Sequence, residues 1–320
     1  MIIEKRNPLP EPLEKWVEAA RAAGQSKFYD IDPFAEVFST REGIYHLLHH
    51  SPEGPGGCVW VHVVVGPEKV FVLDSAWGIG NLGGLVDLLS GGKEVVLCNS
   101  HPHLDHAYGN ISFTRAYCHE YAAPMLKMDN LPTNWDPFLD ENGDGKYLDF
   151  KRQDITPFRD YEIVPCKNHT MLNLGGDHNI ELIWSPGHAA GGAVYIDHKN
   201  RILFSGDSIG PFTVMVGASP KPRLERVYRN EFMTVKAFLK ETEELAERTD
   251  EFDTVIASHH VPGQDPQIVK DMVSLLRQVD ADPDCYDELI YNRHKLPVRI
   301  KKVGLAGLMY GDFAITGPQA

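Results

Sequence analysis

Apolar residues along this chain change period several times, and the changes mark its elements. From 10 to 24, Trp16, Val17, Ala20 and Ala23 fall on one stripe at helical spacing, predicting an N-terminal helical extension, residues 1–40. Residues 58–74 read as a hairpin: an apolar run over 59–65, a turn at Gly66-Pro67-Glu68-Lys69, and a second run over 70–74. A helix over about 82–89 leads to a strand at 94–98; another strand follows at 115–118, and a helix begins near Tyr121. Residues 127–160 are polar and rich in Asp, Asn and Pro, which predicts a long insertion. Three later segments share one layout. The apolar runs 181–184, 201–204 and 254–257 read as buried strands, each ending in Ser, Gly or Pro and then a His or Asp. Residues 211–229 are irregular, and Asn230 caps a helix carrying Phe232, Val235, Phe238, Leu239, Leu245 and Ala246. Asp265 caps the next helix with Pro266 at its first position; its apolar face is Ile268, Val269, Met272, Leu275, Leu276 and Val279. The tail 281–320 reads as an extension packing on the same domain, 41–280, with a strand at 304–310. Strands alternating with amphipathic helices suit a layered α/β fold.

The candidate chemistry sits where these strands end. Ser100-His101-Pro102-His103-Leu104-Asp105-His106 places three histidines and an aspartate within six residues, directly after the 94–98 strand. Imidazole nitrogens and carboxylate oxygens are the usual ligands of zinc and similar ions. Several ionisable groups packed this closely would repel or stay undersolvated without a cation. The cluster is half complete for each of two metals, so further donors must come from far along the chain. Ser185-Pro186-Gly187-His188, Ser205-Gly206-Asp207 and Ser258-His259-His260 supply candidates, with glycines that allow tight turns.

With those residues in view, the chain resembles the metallo-β-lactamase fold superfamily of metallohydrolases. The family's pattern is an Asp after an early strand, then His-X-His-X-Asp-His, then a distant His, Asp and His. Asp74, the cluster His101, His103, Asp105 and His106, then His188, Asp207 and His259 match it in order, over roughly 40–265. The resemblance implies a four-layer αββα sandwich, two central mixed sheets with helices outside. It implies that His101, His103 and His188 hold one metal, that Asp105, His106 and His259 hold the other, that Asp207 bridges them, and that Asp74 orients a ligand. His259 is preferred to His260 from its register with Pro262, although the family usually has Gly where Ser258 stands. The cofactors so implied are two zinc ions, with iron or manganese as alternatives. Two metals about 3.5–4 Å apart can share one solvent molecule and lower its pKa toward neutrality, and Asp105 or Asp207 would pass a proton to the leaving group. By resemblance, the family's best-known zinc β-lactamases carry Cys where Asp207 stands, whereas its thioesterases, lactonases and phosphodiesterases carry Asp. An ester, thioester or lactone hydrolase is therefore expected. The alternatives are a phosphodiesterase, a mononuclear iron sulfur dioxygenase, which keeps the same motif, and a non-enzymatic metal-binding protein. For the substrate, Trp135, Phe138, Tyr147, Phe212 and Met215 are expected to form an apolar wall, and Lys221, Arg223, Arg226 and Arg229 to hold an anionic group.

The remaining features read plainly. His46, His49, His50, His62, His119, His178, His198 and His294 are taken as surface or hydrogen-bonded residues, and His169 as a marginal candidate for the site. Asp140-Glu141-Asn142-Gly143-Asp144-Gly145 resembles the start of a calcium loop, but Lys151 stands where the bidentate Glu belongs, so it reads as a solvated turn. A net charge of −14 argues against a nucleic-acid partner. Five irregularly spaced cysteines do not form a disulfide framework, residues 1–8 carry no apolar signal core, and no run is long enough to span a membrane. These point to a cytoplasmic protein acting on a small-molecule substrate, away from membranes, with a homodimer as the base-rate assembly.

Overall fold

The run read as a hairpin forms the middle of the largest sheet. The structure, a computed structural model, describes residues 8–54, 57–217, 221–292 and 294–318, with backbone alone at 221–222. The start of the chain read for a signal core, 1–7, and the Lys221 side chain lie outside the described residues. The chain divides into two units: residues 1–118, 126–164 and 172–179, and residues 119–125, 165–171 and 180–320.

In chain order the first unit carries α1 (Glu11–Ala22), β1 (Ser26–Tyr29), β2 (Asp32–Arg41), β3 (Ile44–His50), β4 (Cys58–Val65), β5 (Lys69–Leu73), α2 (Leu82–Ser90), β6 (Glu94–Cys98), α3 (Leu104–Ala107) and β7 (Arg115–His119). Next come α4 (Ala123–Met128), β8 (Glu162–Cys166) and β9 (Thr170–Asn173), at the crossings between the units. Strands β1 to β8 form one eight-stranded sheet in sequence order, antiparallel from β1 to β5 and parallel from β5 to β7. Strand β4, Cys-Val-Trp-Val-His-Val-Val-Val, is buried along all but its last residue, which is why its apolar run hardly alternates. Helix α2 is capped by Asn81, whose side chain accepts from Gly84 N, and ends at Gly91 in the left-handed region.

The second unit carries β10 (Asn179–Trp184), β11 (Ala193–Asp197), β12 (Ile202–Gly206), β13 (Thr213–Val216), α5 (Lys221–Leu224), α6 (Val235–Ala246), β14 (Thr254–Ala257), α7 (Gln267–Ala281), β15 (Glu288–Tyr291), β16 (Pro297–Val303), β17 (Ala306–Tyr310) and α8 (Asp312–Thr316). One sheet runs β14-β12-β11-β10-β9 and another β13-β17-β16-β15. The first is mixed, because β12 pairs antiparallel with β11 and parallel with β14. The whole is an α/β fold of mixed sheets and helices, as expected.

Several local readings change. Residues 26–41 of the N-terminal extension are strands, not helix. The segment 211–229 contains β13, whose parallel partner β17 comes from the tail, so the tail contributes three strands of a further four-stranded sheet. Helix α6 starts at Val235 with Thr234 as its cap, accepting from Ala237 N at 3.2 Å; Asn230 opens only a turn of 3-10 helix. Asp265 does accept from Gln267 N at 2.8 Å at the head of α7. His46, His49, His50, His62, His119 and His178 are buried. Across β3 and β4, His46 Nδ1 lies 2.9 Å from His62 Nδ1, and Thr40 Oγ1 lies 3.1 Å from His46 Nε2. The calcium-like loop is a turn closed on Asp140, which accepts from Asn142 N and Asp144 N at 2.8 and 3.0 Å. Among the described residues no helix is long and apolar enough to cross a membrane.

Candidate metal centre

Strand β6 is buried at its carboxyl end and delivers Asn99 and Ser100 into the cluster. His103 is still extended, with φ −69° and ψ 157°, and α3 starts at the next residue. His101 and His103 therefore leave an extended chain, while Asp105 and His106 leave the first turn of a helix. His101 Nε2 lies 2.9 Å from His103 Nδ1, the His101 and His106 rings are 4.1 Å apart, and His106 Nε2 is 3.4 Å from Asp105 Oδ2.

The outward nitrogens are tied back. His106 Nδ1 meets Asp74 Oδ2 at 2.8 Å, and His101 Nδ1 meets Ser100 Oγ at 3.0 Å. Asp74, fully buried, also accepts from Ser100 N at 2.7 Å and Ser100 Oγ at 2.8 Å. The His106 carbonyl accepts from Ser75 N, Ser75 Oγ and Asn99 Nδ2, and Asn110 joins Ser75 to Asn99. Ser75, Asn99 and Asn110 were missed in the sequence. Isolated small polar residues carry no spacing signal, and only their burial together exposes them.

In the second unit, Gly187 adopts φ +107°, and a Cβ there would stand 2.7 Å from Phe238, so the turn before His188 requires glycine. His188 Nδ1 donates to the Met215 carbonyl at 3.0 Å, leaving Nε2 3.6 Å from Asp207 Oδ2. His259 Nε2 is 3.3 Å from the same oxygen, and the Phe212 ring stands edge-on to His259 with centroids 6.1 Å apart. His260 follows in the left-handed region at φ +72°.

These donors fit a divalent cation. His101, His106 and His188 each have Nδ1 bonded to a neighbouring oxygen, which directs Nε2 to a ligand, the arrangement that protein metal sites use to fix tautomer and ring. Burial, and then the Asp105 charge, push the nearby Cys58 thiol up to about 12.

Other expected residues fall elsewhere. Trp135 and Phe138 are 3% and 8% exposed and belong to the core of the first unit, so they form no substrate wall; Tyr147 and Met215 are exposed. Arg223 and Arg226 are exposed. Arg229 lies over the rings of Tyr121, Tyr228 and Phe232. His169 is turned to Glu181, with Nδ1 2.7 Å from its Oε1.

Residues 53–259, more than half of the chain and every donor from His101 to His259, match the family model described as metallo-β-lactamase superfamily. The chain belongs to that superfamily. This metallo-β-lactamase superfamily chain is similar in fold to the DIM-1 metallo-β-lactamase, at 17% identity and TM-score 0.53, covering 78% of this chain and 99% of that one. A metallo-β-lactamase from Pontibacter korlensis gives 17% identity and TM-score 0.51, covering 76% and 99%. A metallo-β-lactamase family protein from Thermus thermophilus gives 20% identity and TM-score 0.52, covering 78% and 85%. No curated protein matches the chain.

Proposed function

We propose that this superfamily member is a metal-dependent hydrolase that takes two zinc ions, or iron or manganese in their place, and cleaves an ester, thioester or lactone in a small molecule. The observation that carries the reading is how the donors sort. In the first unit His101, His103, Asp105 and His106 crowd together, and in the second His188 Nε2 and His259 Nε2 both face Asp207 Oδ2. Four donors in one unit, and two histidines around one carboxylate in the other, are the set that the superfamily's two-metal pattern calls for.

Bound there, such ions would supply a water of lowered pKa and polarise the substrate carbonyl. The chain's own part is to position and to move protons. Asp74 and the Met215 carbonyl hold the tautomers of His106 and His188. Asp207 Oδ2 and Asp105 Oδ2 are the carboxylate oxygens assigned to carry a proton to the leaving group. No nucleophilic side chain is assigned. Phe212, edge-on to His259, offers an apolar face to the acyl part of the substrate, and Arg223 and Arg226 are assigned to an anionic group on it.

Plasma mass spectrometry on protein purified without added metal tests the reading, followed by ester, thioester and lactone panels. Near two zinc or manganese per chain with hydrolysis is the expected result. One iron per chain with oxygen consumption on a sulfur substrate would replace the hydrolase by a dioxygenase.

A further inference from the structure

The loop that carries Asp74 adopts a conformation it would not hold alone. Asp74 and Ala76 have φ of +65° and +53°, left-handed values that a non-glycine residue keeps only where the surroundings over-determine them. On one side the loop is fixed by the metal-ligand segment: Asp74 N donates to the Cys98 carbonyl, Ser75 N to the His106 carbonyl, and Gly109 N to the Ala76 carbonyl. The other side is fixed by the insertion. Trp135 Nε1 donates to the Trp77 carbonyl at 2.6 Å. Thr156 N donates to the Gly78 carbonyl at 2.9 Å, Gly80 N donates to the Asp154 carbonyl at 2.8 Å, and Thr156 Oγ1 donates to the Gly80 carbonyl at 3.0 Å. A Cβ on Gly78 would lie 3.3 Å from the Trp135 ring, so ring and loop backbone are in close contact.

The insertion can bear on the loop because it is itself anchored. Trp135, Phe138, Leu139, Leu148 and Phe150 are buried in the core of the first unit, and Gly145 N donates to the Phe150 carbonyl at 2.7 Å. A segment whose composition reads as a long polar insertion is thus stapled at both ends of the 77–80 backbone.

We propose that the 127–160 insertion is a clamp on the Asp74 loop, and that Trp135 is a positioning residue for His106. The clamp fixes the loop backbone, the backbone fixes the Asp74 carboxylate, and that carboxylate fixes the His106 tautomer and ring. The inference rests on the metal centre proposed above.

The test is zinc affinity of the full-length chain, by chelator competition on Trp135→Phe, Asp74→Asn and the double variant, with cobalt absorption spectra as a second readout. Trp135→Phe keeps an aromatic ring and removes both clamp contacts, the donor to Trp77 and the part of the indole beside Gly78. About a 10-fold loss is expected at one of two sites, with the other unchanged and the cobalt bands altered. The double variant should then be little worse than Asp74→Asn, because the two residues act in one chain. Equal loss at both sites, unchanged affinity, or full additivity would overturn the clamp while leaving the metal centre standing. Failure of the unaltered protein to bind metal would instead remove the proposed function. Should Trp135→Phe not fold, Thr156→Val removes one loop bond more gently and must show the same one-site loss. Val37→Ala, which loosens the same core from β2, outside the insertion and the loop, should lower the melting temperature and leave zinc affinity alone; a zinc loss there equal to that of Trp135→Phe would reduce Trp135 to a structural role.

Discussion

The two units support their candidate donors in different ways. In the first, four donors lie within six residues and are held by side chains: Asp74, Ser100, Ser75, Asn99 and Asn110. In the second, three donors come from three separate strand ends and are held largely by main chain: the glycine turn at Gly187, the Met215 carbonyl and the close of β12 at Gly206. Side-chain support is exposed to single substitutions of polar residues. Main-chain support is insensitive to those and depends on backbone shape.

The largest effect should come from removing the carboxylate common to His188 and His259. Asp207→Ala is expected to lower kcat by about 10²–10⁴-fold, with a much smaller change in substrate affinity. Unchanged turnover at intact metal content would break the assignment of proton transfer to this residue. Gly187→Ala probes the main-chain half. Left-handed strain and overlap with Phe238 together should cost at least about 2 kcal/mol, read as a lowered denaturation midpoint. An unaltered midpoint would show that the turn is not fixed as described.

Acid should separate the units most gently. Burial holds His46 down at about 4 and His49 at about 3, below the 6.5 of an unfolded histidine. Between those values the unfolded chain binds the protons, so the first unit loses stability as pH falls from 6.5 toward 4. In the second unit, burial acts to raise the Glu181 pKa, but hydrogen bonds from Arg248 and His169 bring it to about 2, below its ordinary 4.5. Its contribution is complete above 4.5 and lost only as pH falls toward 2. Hydrogen exchange at pH 5, corrected for intrinsic rates, should therefore show β3 and β4 loosening before β10; the reverse order would contradict the comparison.

The same contrast explains what could be read from sequence. The strands β4, β5, β6, β10, β12 and β14 are short apolar runs ending in turn residues, and each was visible as such. The candidate donors were visible because they follow those runs. Strands β2 and β3 were not, because their buried positions include Glu36, His46 and His49. Polar residues look solvated until their partners are known, as when Arg21 Nε and Nη2 donate to Glu36 at 2.7 and 2.6 Å. Strand β15 exposes three of its four residues, which erases its period. The role of 127–160 was hidden for another reason: its bonds to 77–80 run through main-chain carbonyls, which leave no mark in a sequence.

Strand β13 finds its parallel neighbour in β17, so the Met215 carbonyl that steadies His188 is braced by residues 306–310. During synthesis the ribosome releases His188 and Met215 long before that neighbour exists. The histidine can be translated early, but its orientation matures late, and a nascent chain arrested between 217 and 305 would display the motif without the brace.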